Sequence, residues 1–208
     1  MTGRISEMFP PALASGRRIG LFGGSFNPPH GGHRAVAEEA LKRLQLDEVW
    51  WLVATRNPLK PAADTADLEQ RLALTRKVAA HPRFRVLDLE RRTGTLYTAD
   101  LLDAMEPALA EGLFVWIMGA DTFAGLHLWG RWRSIPARLP LAVFDRPGWT
   151  MKALHSPAAR AFRAARIPQR AAAELAELAP PAWAFITMPL RGESSSCLRE
   201  PAACREGG

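Results

Sequence analysis

Apolar positions in this chain gather into short runs at 19–22, 49–53, 84–87, 113–118, 141–144 and 183–188. Most show little alternation of apolar with polar residues, which is the pattern of a strand buried on both faces. Between them, positions 35–44, 68–80 and 99–105 carry apolar residues at a helical period, and a long alanine-rich stretch at 158–178 reads as another helix. Asp67 with Gln70 has the form of a capping box opening the second of these helices. Strand and helix alternate throughout, which predicts an α/β fold: a doubly wound parallel sheet with helices on both faces, in a single domain. Sheets of this kind take ligands beyond the carboxyl ends of their strands, where the strand order reverses.

The connection after the first run falls at such an edge. It reads Gly23-Gly24-Ser25-Phe26-Asn27-Pro28-Pro29-His30-Gly31-Gly32-His33, with four glycines and two prolines. This composition departs from any regular period and marks unusual backbone geometry. A glycine-rich turn leading into a helix presents unpaired N–H groups with no Cβ atoms to block approach, which suits a phosphate. His30 and His33 add donors that are neutral or charged near neutral pH. The turn lacks the Lys-Ser/Thr ending of a Walker loop and the spacing of a G-x-G-x-x-G dinucleotide turn. Two imidazoles alone do not complete a zinc site, and no further Cys, His or Glu set stands nearby in the sequence. No metal-ligating residues are therefore assigned.

Composition narrows the setting. A chain of 208 residues is long enough for one domain with a sizeable core. No apolar run approaches the roughly 18 to 20 residues of a membrane helix. Positions 1–17, with Pro10 and Pro11, read as a flexible extension without a signal-peptide pattern, leaving 18–208 as the folded domain. The two cysteines, Cys197 and Cys204, read as a reduced cytoplasmic pair. The net charge of +6 is scattered and carried mostly by arginine. It fits steering of polyphosphates into a cleft as well as it fits nucleic acid, and no stacking motif favours the latter.

The GGSFNPPHGGH stretch resembles the opening of bacterial nicotinate-nucleotide adenylyltransferases, within the HxGH nucleotidyltransferase superfamily. The likeness runs from about Arg18 to Arg199 through Asn57-Pro58-Leu59-Lys60, Leu96-Tyr97-Thr98, Met118-Gly119-Ala120-Asp121, Leu126-His127-Leu128-Trp129, Arg146-Pro147-Gly148 and Ser194-Ser195-Ser196-Cys197-Leu198-Arg199. It implies a Rossmann-like fold and adenylyl transfer from ATP to nicotinate mononucleotide. In that reading His30, His33, Lys60 and Arg199 serve the transfer. Gly23, Gly24, Ser25, Phe26, Gly119, Asp121, Ser195 and Ser196 hold ATP, and Thr98 and Trp129 receive the pyridine nucleotide. Mg²⁺ is expected as cofactor, held mainly by the ATP phosphates, with a cytoplasmic location and neither nucleic acid nor membrane as partner.

Several of these residues also have plainer readings. Lys60 fits an exposed loop charge, Asp121 a cap for a helix beginning at Thr122, and Thr98 an N-cap. Trp129 fits a packing role among seven tryptophans, and Ser195 and Ser196 fit a helix start. Adenylylation of nicotinamide mononucleotide or phosphopantetheine and a non-catalytic nucleotide-binding regulator are the competing functions. Two departures from the family pattern stand out. Leu59 replaces a frequent histidine, and Gly130 replaces a frequent aromatic residue, which implies a looser pyridine pocket on that side.

Overall fold

A computed structural model of the chain describes residues 15–56 and 66–188. Seven strands form one wholly parallel sheet: β1 (Arg18–Gly24), β2 (Glu48–Val53), β3 (Phe84–Leu87), β4 (Leu113–Gly119), β5 (Leu141–Phe144), β6 (Arg166–Ile167) and β7 (Trp183–Ile186). Their spatial order is β3-β2-β1-β4-β5-β7-β6. The chain runs outward from β1 to β3, then crosses back to place β4 on the free side of β1. The order therefore reverses between β1 and β4, and the loops leaving these two strands diverge above the sheet.

The helices are α1 (Gly31–Arg43), α2 (Leu68–Val78), α3 (Leu89–Thr93), α4 (Thr98–Ala104), α5 (Glu106–Leu109), α6 (Ala120–Ala124), α7 (Ser134–Arg138), α8 (Thr150–Leu154) and α9 (Pro157–Ala161), with short 3-10 turns between the later ones. Each central strand buries both faces, so its side chains divide between two cores. Leu21, Trp50, Trp116 and Val143 point to one, with Leu101, Leu102, Phe123 and Ile135 packed over them. Phe22, Trp51, Ile117 and Phe144 point to the other, under Ala37, Leu41, Leu72 and Leu175. Burying a side chain of this size contributes roughly 1.5–3 kcal/mol, and this two-sided burial is what the unbroken apolar runs encode. Among the described residues no helix is long and apolar enough to cross a membrane.

The 158–178 stretch is not the single helix its alanine content suggests. It divides into α9, a 3-10 turn at Arg163–Ala165, strand β6 and a 3-10 segment at Gln169–Glu177. Pro168 accounts for the break, since it has no N–H to give a helix and drives the preceding residue toward extended backbone. Ile167 adopts that conformation and pairs with Ala184 of β7. Helix α2 starts where expected, but the Asp67 carboxylate caps it through the Glu69 N–H at 2.9 Å, two residues on. At the other end of the sheet, Gly16 and Arg17 are tied to the chain before β4, Gly16 N–H to Glu111 O and Arg17 O to Leu113 N–H.

Gly23 marks where packing dictates a residue type. A Cβ there would stand 2.5 Å from Cζ2 of Trp116, a ring buried in the first core. Replacing Gly23 with Ala should therefore destabilise the fold by ~1–3 kcal/mol through overpacking. Urea unfolding should show this as a lower midpoint with an unchanged slope, and an unshifted midpoint would contradict the packing.

Candidate active site

The chain leaves β1 at Gly24 and turns sharply. Phe26 takes a positive φ of 45°, a region that side-chain-bearing residues seldom occupy. The turn is held by burial of its ring, which is 2% exposed. That ring sits 5.5 Å from Phe22, 5.1 Å from Trp51 and 5.1 Å from His33, centroid to centroid. Phe26, expected among the ATP-binding residues, thus forms with Phe22 an aromatic floor beneath the His33 imidazole.

Helix α1 begins at Gly31, four residues earlier than the apolar period indicates. Gly31 and Gly32, poor helix formers, conceal the start. His30 is its N-cap and His33 lies in its first turn. The His30 N–H donates to Nδ1 of His33 at 3.2 Å, and the two rings are 3.8 Å apart. With Nδ1 engaged as an acceptor, the proton of neutral His33 resides on Nε2. Burial, then His30 and then Arg146, hold the pKa of His33 well below 6.5. The imidazole is therefore a neutral donor at physiological pH, fixed in one tautomer by the helix start that carries it.

His33 lines a cleft of about 690 Å³ above the carboxyl ends of β1 and β4, the position the strand order indicates. Gly23, Gly24, Ser25 and Phe26 line it from the β1 exit. Gly119 and Asp121 approach from the β4 exit, and Thr98 and Trp129 complete it from the helical side. His30 is placed behind His33, 4% exposed, outside the lining residues. Lys60, Ser195, Ser196 and Arg199 lie outside the described residues, as does Leu59.

Three local expectations change. Helix α6 begins at Ala120 with Gly119 as its N-cap, so Asp121 does not cap a helix starting at Thr122. Its carboxylate instead forms an ion pair with Arg146, which follows β5. The N-cap of α4 is Tyr97, and Thr98 is its first residue, where N–H groups have no partner within a helix. The side expected to be looser at Gly130 is filled by another ring: a Cβ on Gly130 would stand 3.2 Å from Cδ1 of Tyr97, which lies against it. Trp129 is half-buried, with one part packed on the first core and another facing the cleft.

Tyr97, Trp149 and Glu90 also line the cleft, although the sequence reading gave them no role. Leu96, Tyr97, Leu128 and Trp149 form a partly exposed apolar rim. A rim of this kind gives flat surface to an aromatic ligand while the glycine exit of β1 gives N–H groups to an anion. Leu96, Tyr97 and Leu128 stand in the family-like segments, whereas neither periodicity nor residue type separates Trp149 or Glu90 from ordinary packed or solvated positions.

The sequence matches the cytidylyltransferase-like family over residues 21–200. It is 50% identical over 184 residues to a Bradyrhizobium sp. strain BTAi1 protein named "Probable nicotinate-nucleotide adenylyltransferase", spanning 88% of this chain and 96% of that protein. A Roseobacter denitrificans protein of the same name is 50% identical over 196 residues, spanning 94% of this chain and 97% of the relative. The fold is similar to that of the Plasmodium falciparum nicotinic acid mononucleotide adenylyltransferase complexed with NaAD. The TM-score is 0.67 at 16% identity, covering 88% of this chain and 83% of that one.

The depressed pKa of His33 has a stability consequence of definite sign. Below about pH 6.5 the unfolded chain protonates this imidazole while the folded chain does not, so the unfolded state binds more protons. Stability is then lost as pH falls from 6.5 toward the lowered folded value. Imidazole ¹⁵N spectra should show His33 neutral with its proton on Nε2 at pH 6. A doubly protonated ring at that pH would contradict the assignment.

Proposed function

The chain belongs to the cytidylyltransferase-like family and to the nicotinate-nucleotide adenylyltransferases, and we propose that its cleft works by positioning two nucleotides around the neutral Nε2–H of His33. The enzyme transfers the adenylyl group of ATP to nicotinate mononucleotide, giving nicotinate adenine dinucleotide and pyrophosphate in NAD biosynthesis. One observation carries the residue-level reading: His33, neutral and with its tautomer fixed, lines the same cleft as Thr98 and Trp129.

In the transfer, a 5′-phosphate oxygen of the mononucleotide bonds to the α-phosphorus as the bond to the pyrophosphate oxygen breaks. No protein nucleophile is needed, so rate comes from alignment and from donors aimed at oxygens that gain charge. His33 serves as such a donor without adding a buried cation. His30 orients it through the N–H bond to Nδ1. The glycine exit of β1 admits phosphate close to backbone N–H groups. Lys60, Ser195, Ser196 and Arg199 are assigned to the β- and γ-phosphates, a guanidinium and hydroxyls being apt partners for anionic oxygens.

Arg146 adds a cation next to His33, at present paired with Asp121. ATP exchanges that pairing, freeing Asp121 for ribose hydroxyls and turning Arg146 to phosphate. On the opposite wall Trp129 stacks on the pyridine ring, and the opening N–H groups of α4 at Thr98 take its carboxylate. Mg²⁺ would be held mainly by the hard oxygens of the triphosphate and would supply charge neutralisation for the leaving pyrophosphate. Among the described residues the carboxylate nearest the β4 exit, Asp121, is engaged by arginine rather than arranged as a cation cage. The setting is cytoplasmic, where both nucleotides are available.

Incubation with ATP, Mg²⁺ and nicotinate mononucleotide should yield equal amounts of dinucleotide and pyrophosphate, with nicotinamide mononucleotide and phosphopantetheine as competing acceptors. No product from the pyridine acid would contradict the reading. His33→Ala should lower turnover about 100- to 1000-fold, the usual cost of one such donor, with an unchanged circular dichroism spectrum. Near-normal turnover would remove His33 from the reaction.

A further inference from the structure

Arg71, on α2, is 2% exposed, yet among the described residues no carboxylate is hydrogen-bonded to it. Its guanidinium instead donates to four backbone carbonyls. Nη1 reaches Ser25 O at 2.9 Å and Ala54 O at 2.7 Å, Nη2 reaches Thr55 O at 2.8 Å, and Nε reaches Ala66 O at 2.9 Å. Ser25 lies in the histidine turn after β1, and Ala54 and Thr55 follow β2. Ala66 precedes α2, so Thr55 and Ala66 flank segment 57–65, which contains Lys60. One buried side chain thus ties together the exits of two strands and both flanks of that segment.

The same peptide is held from its other side. Glu90, at the start of α3 just beyond β3, accepts the Thr55 N–H at 2.7 Å. It lines the cleft, and it is a source of negative charge acting on Arg71, together with Asp67. A guanidinium spent on neutral carbonyls keeps its full charge in a desolvated place, so a nearby counter-charge matters to it. With Glu90 included, the exits of β1, β2 and β3 meet at one cluster.

We propose that Arg71 and Glu90 are a positioning pair that fixes the histidine turn after β1 relative to the chain leaving β2 at Ala54 and Thr55, and so holds the cleft wall that these two exits share in one geometry for the triphosphate. The pair touches neither substrate in this role. It acts on the reaction through the backbone at Ser25 and Thr55. The inference rests on the adenylyl-transfer reading for its kinetic part only, since the clamp on the Thr55 amide is a property of the fold.

Burial raises the pKa of Glu90 to about 7, against the lowering by the Thr55 N–H and Arg71. The charged form, which is the counter-ion of Arg71, therefore grows in as pH rises through about 7. Two described neighbours shift the other way. Asp88, on the same side of the sheet, is held low by Arg92 and Arg91, and His33 stays neutral. Arg56 and Arg146 also line the cleft.

The test compares Glu90→Gln and Glu90→Ala with the parent enzyme in three measurements: amide hydrogen exchange at Thr55, the dissociation constant for ATP with Mg²⁺, and kcat and KM from pH 5.5 to 8.5. Glu90→Ala should speed exchange at Thr55 and lower kcat/KM for ATP on the order of 100-fold, the scale of a misplaced reacting group. Glu90→Gln keeps an acceptor oxygen for Thr55, so it should retain slow exchange. It should also lose the part of the kcat/KM rise through pH 7 that the parent shows beyond the titration of the substrates. Unchanged exchange and unchanged ATP affinity in Glu90→Ala would overturn the pair. So would a Glu90→Gln profile that overlays the parent's. If the parent made no dinucleotide, the reaction assignment would fail, while exchange and ATP binding would still decide the clamp.

Discussion

The path of the chain out of β1 is the constraint on which the cleft depends. Trp116 of the neighbouring strand fills the space over Gly23, and the Phe26 ring turns back under His33. Between these aromatic groups the backbone has one way to go, which is up from the sheet and directly into α1. The helix start that results does two things. It brings Gly32 and His33 to the wall of the crevice between diverging loops, and it supplies the His30 N–H that engages Nδ1 of His33. The cleft wall and an oriented donor thus arise from packing in the core below them.

Electrostatics at the site follow from the same burial. Burial, then His30 and then Arg146, all disfavour the charged form of His33. A neutral Nε2–H polarises an oxygen that is gaining charge and needs no counter-ion of its own. The permanent positive charge comes instead from guanidinium groups, which do not change protonation in the working range. Arg146 and Arg71 divide this work: one faces the cleft, while the other organises the backbone behind it.

The unbroken apolar runs placed every central strand to within two residues, because two-sided burial leaves a signature that composition alone displays. Strand β6 had no such signature. It is two residues long, Arg166 and Ile167, and its pairing depends on Pro168 breaking an otherwise helix-forming stretch. The start of α1 was obscured for a related reason: glycine carries no helical signal, although two glycines here open a helix. At the site, the linear motif that holds His30 and His33 was legible because the chemistry and the turn coincide in sequence. Glu90 and Arg71 were not, since an acidic residue after a strand and an arginine on an amphipathic helix look like solvated surface. Their meaning lies in bonds to Thr55, Ser25 and Ala54, which only the folded chain brings near. Asp121 shows an intermediate case, its neighbourhood foreseen but its partner Arg146 not.

The central claim is that both nucleotides meet at the β1–β4 crevice with His33 donating from Nε2 to the phosphate undergoing transfer. A crystal structure of the enzyme with a non-hydrolysable ATP analogue, Mg²⁺ and nicotinate mononucleotide tests it most directly. The expected result places an α-phosphate oxygen within ordinary hydrogen-bond reach of His33 Nε2, roughly 2.7–3.2 Å, with the pyridine ring against Trp129. A triphosphate bound away from the β1 exit, or a His33 ring with Nε2 turned from it, would contradict the account.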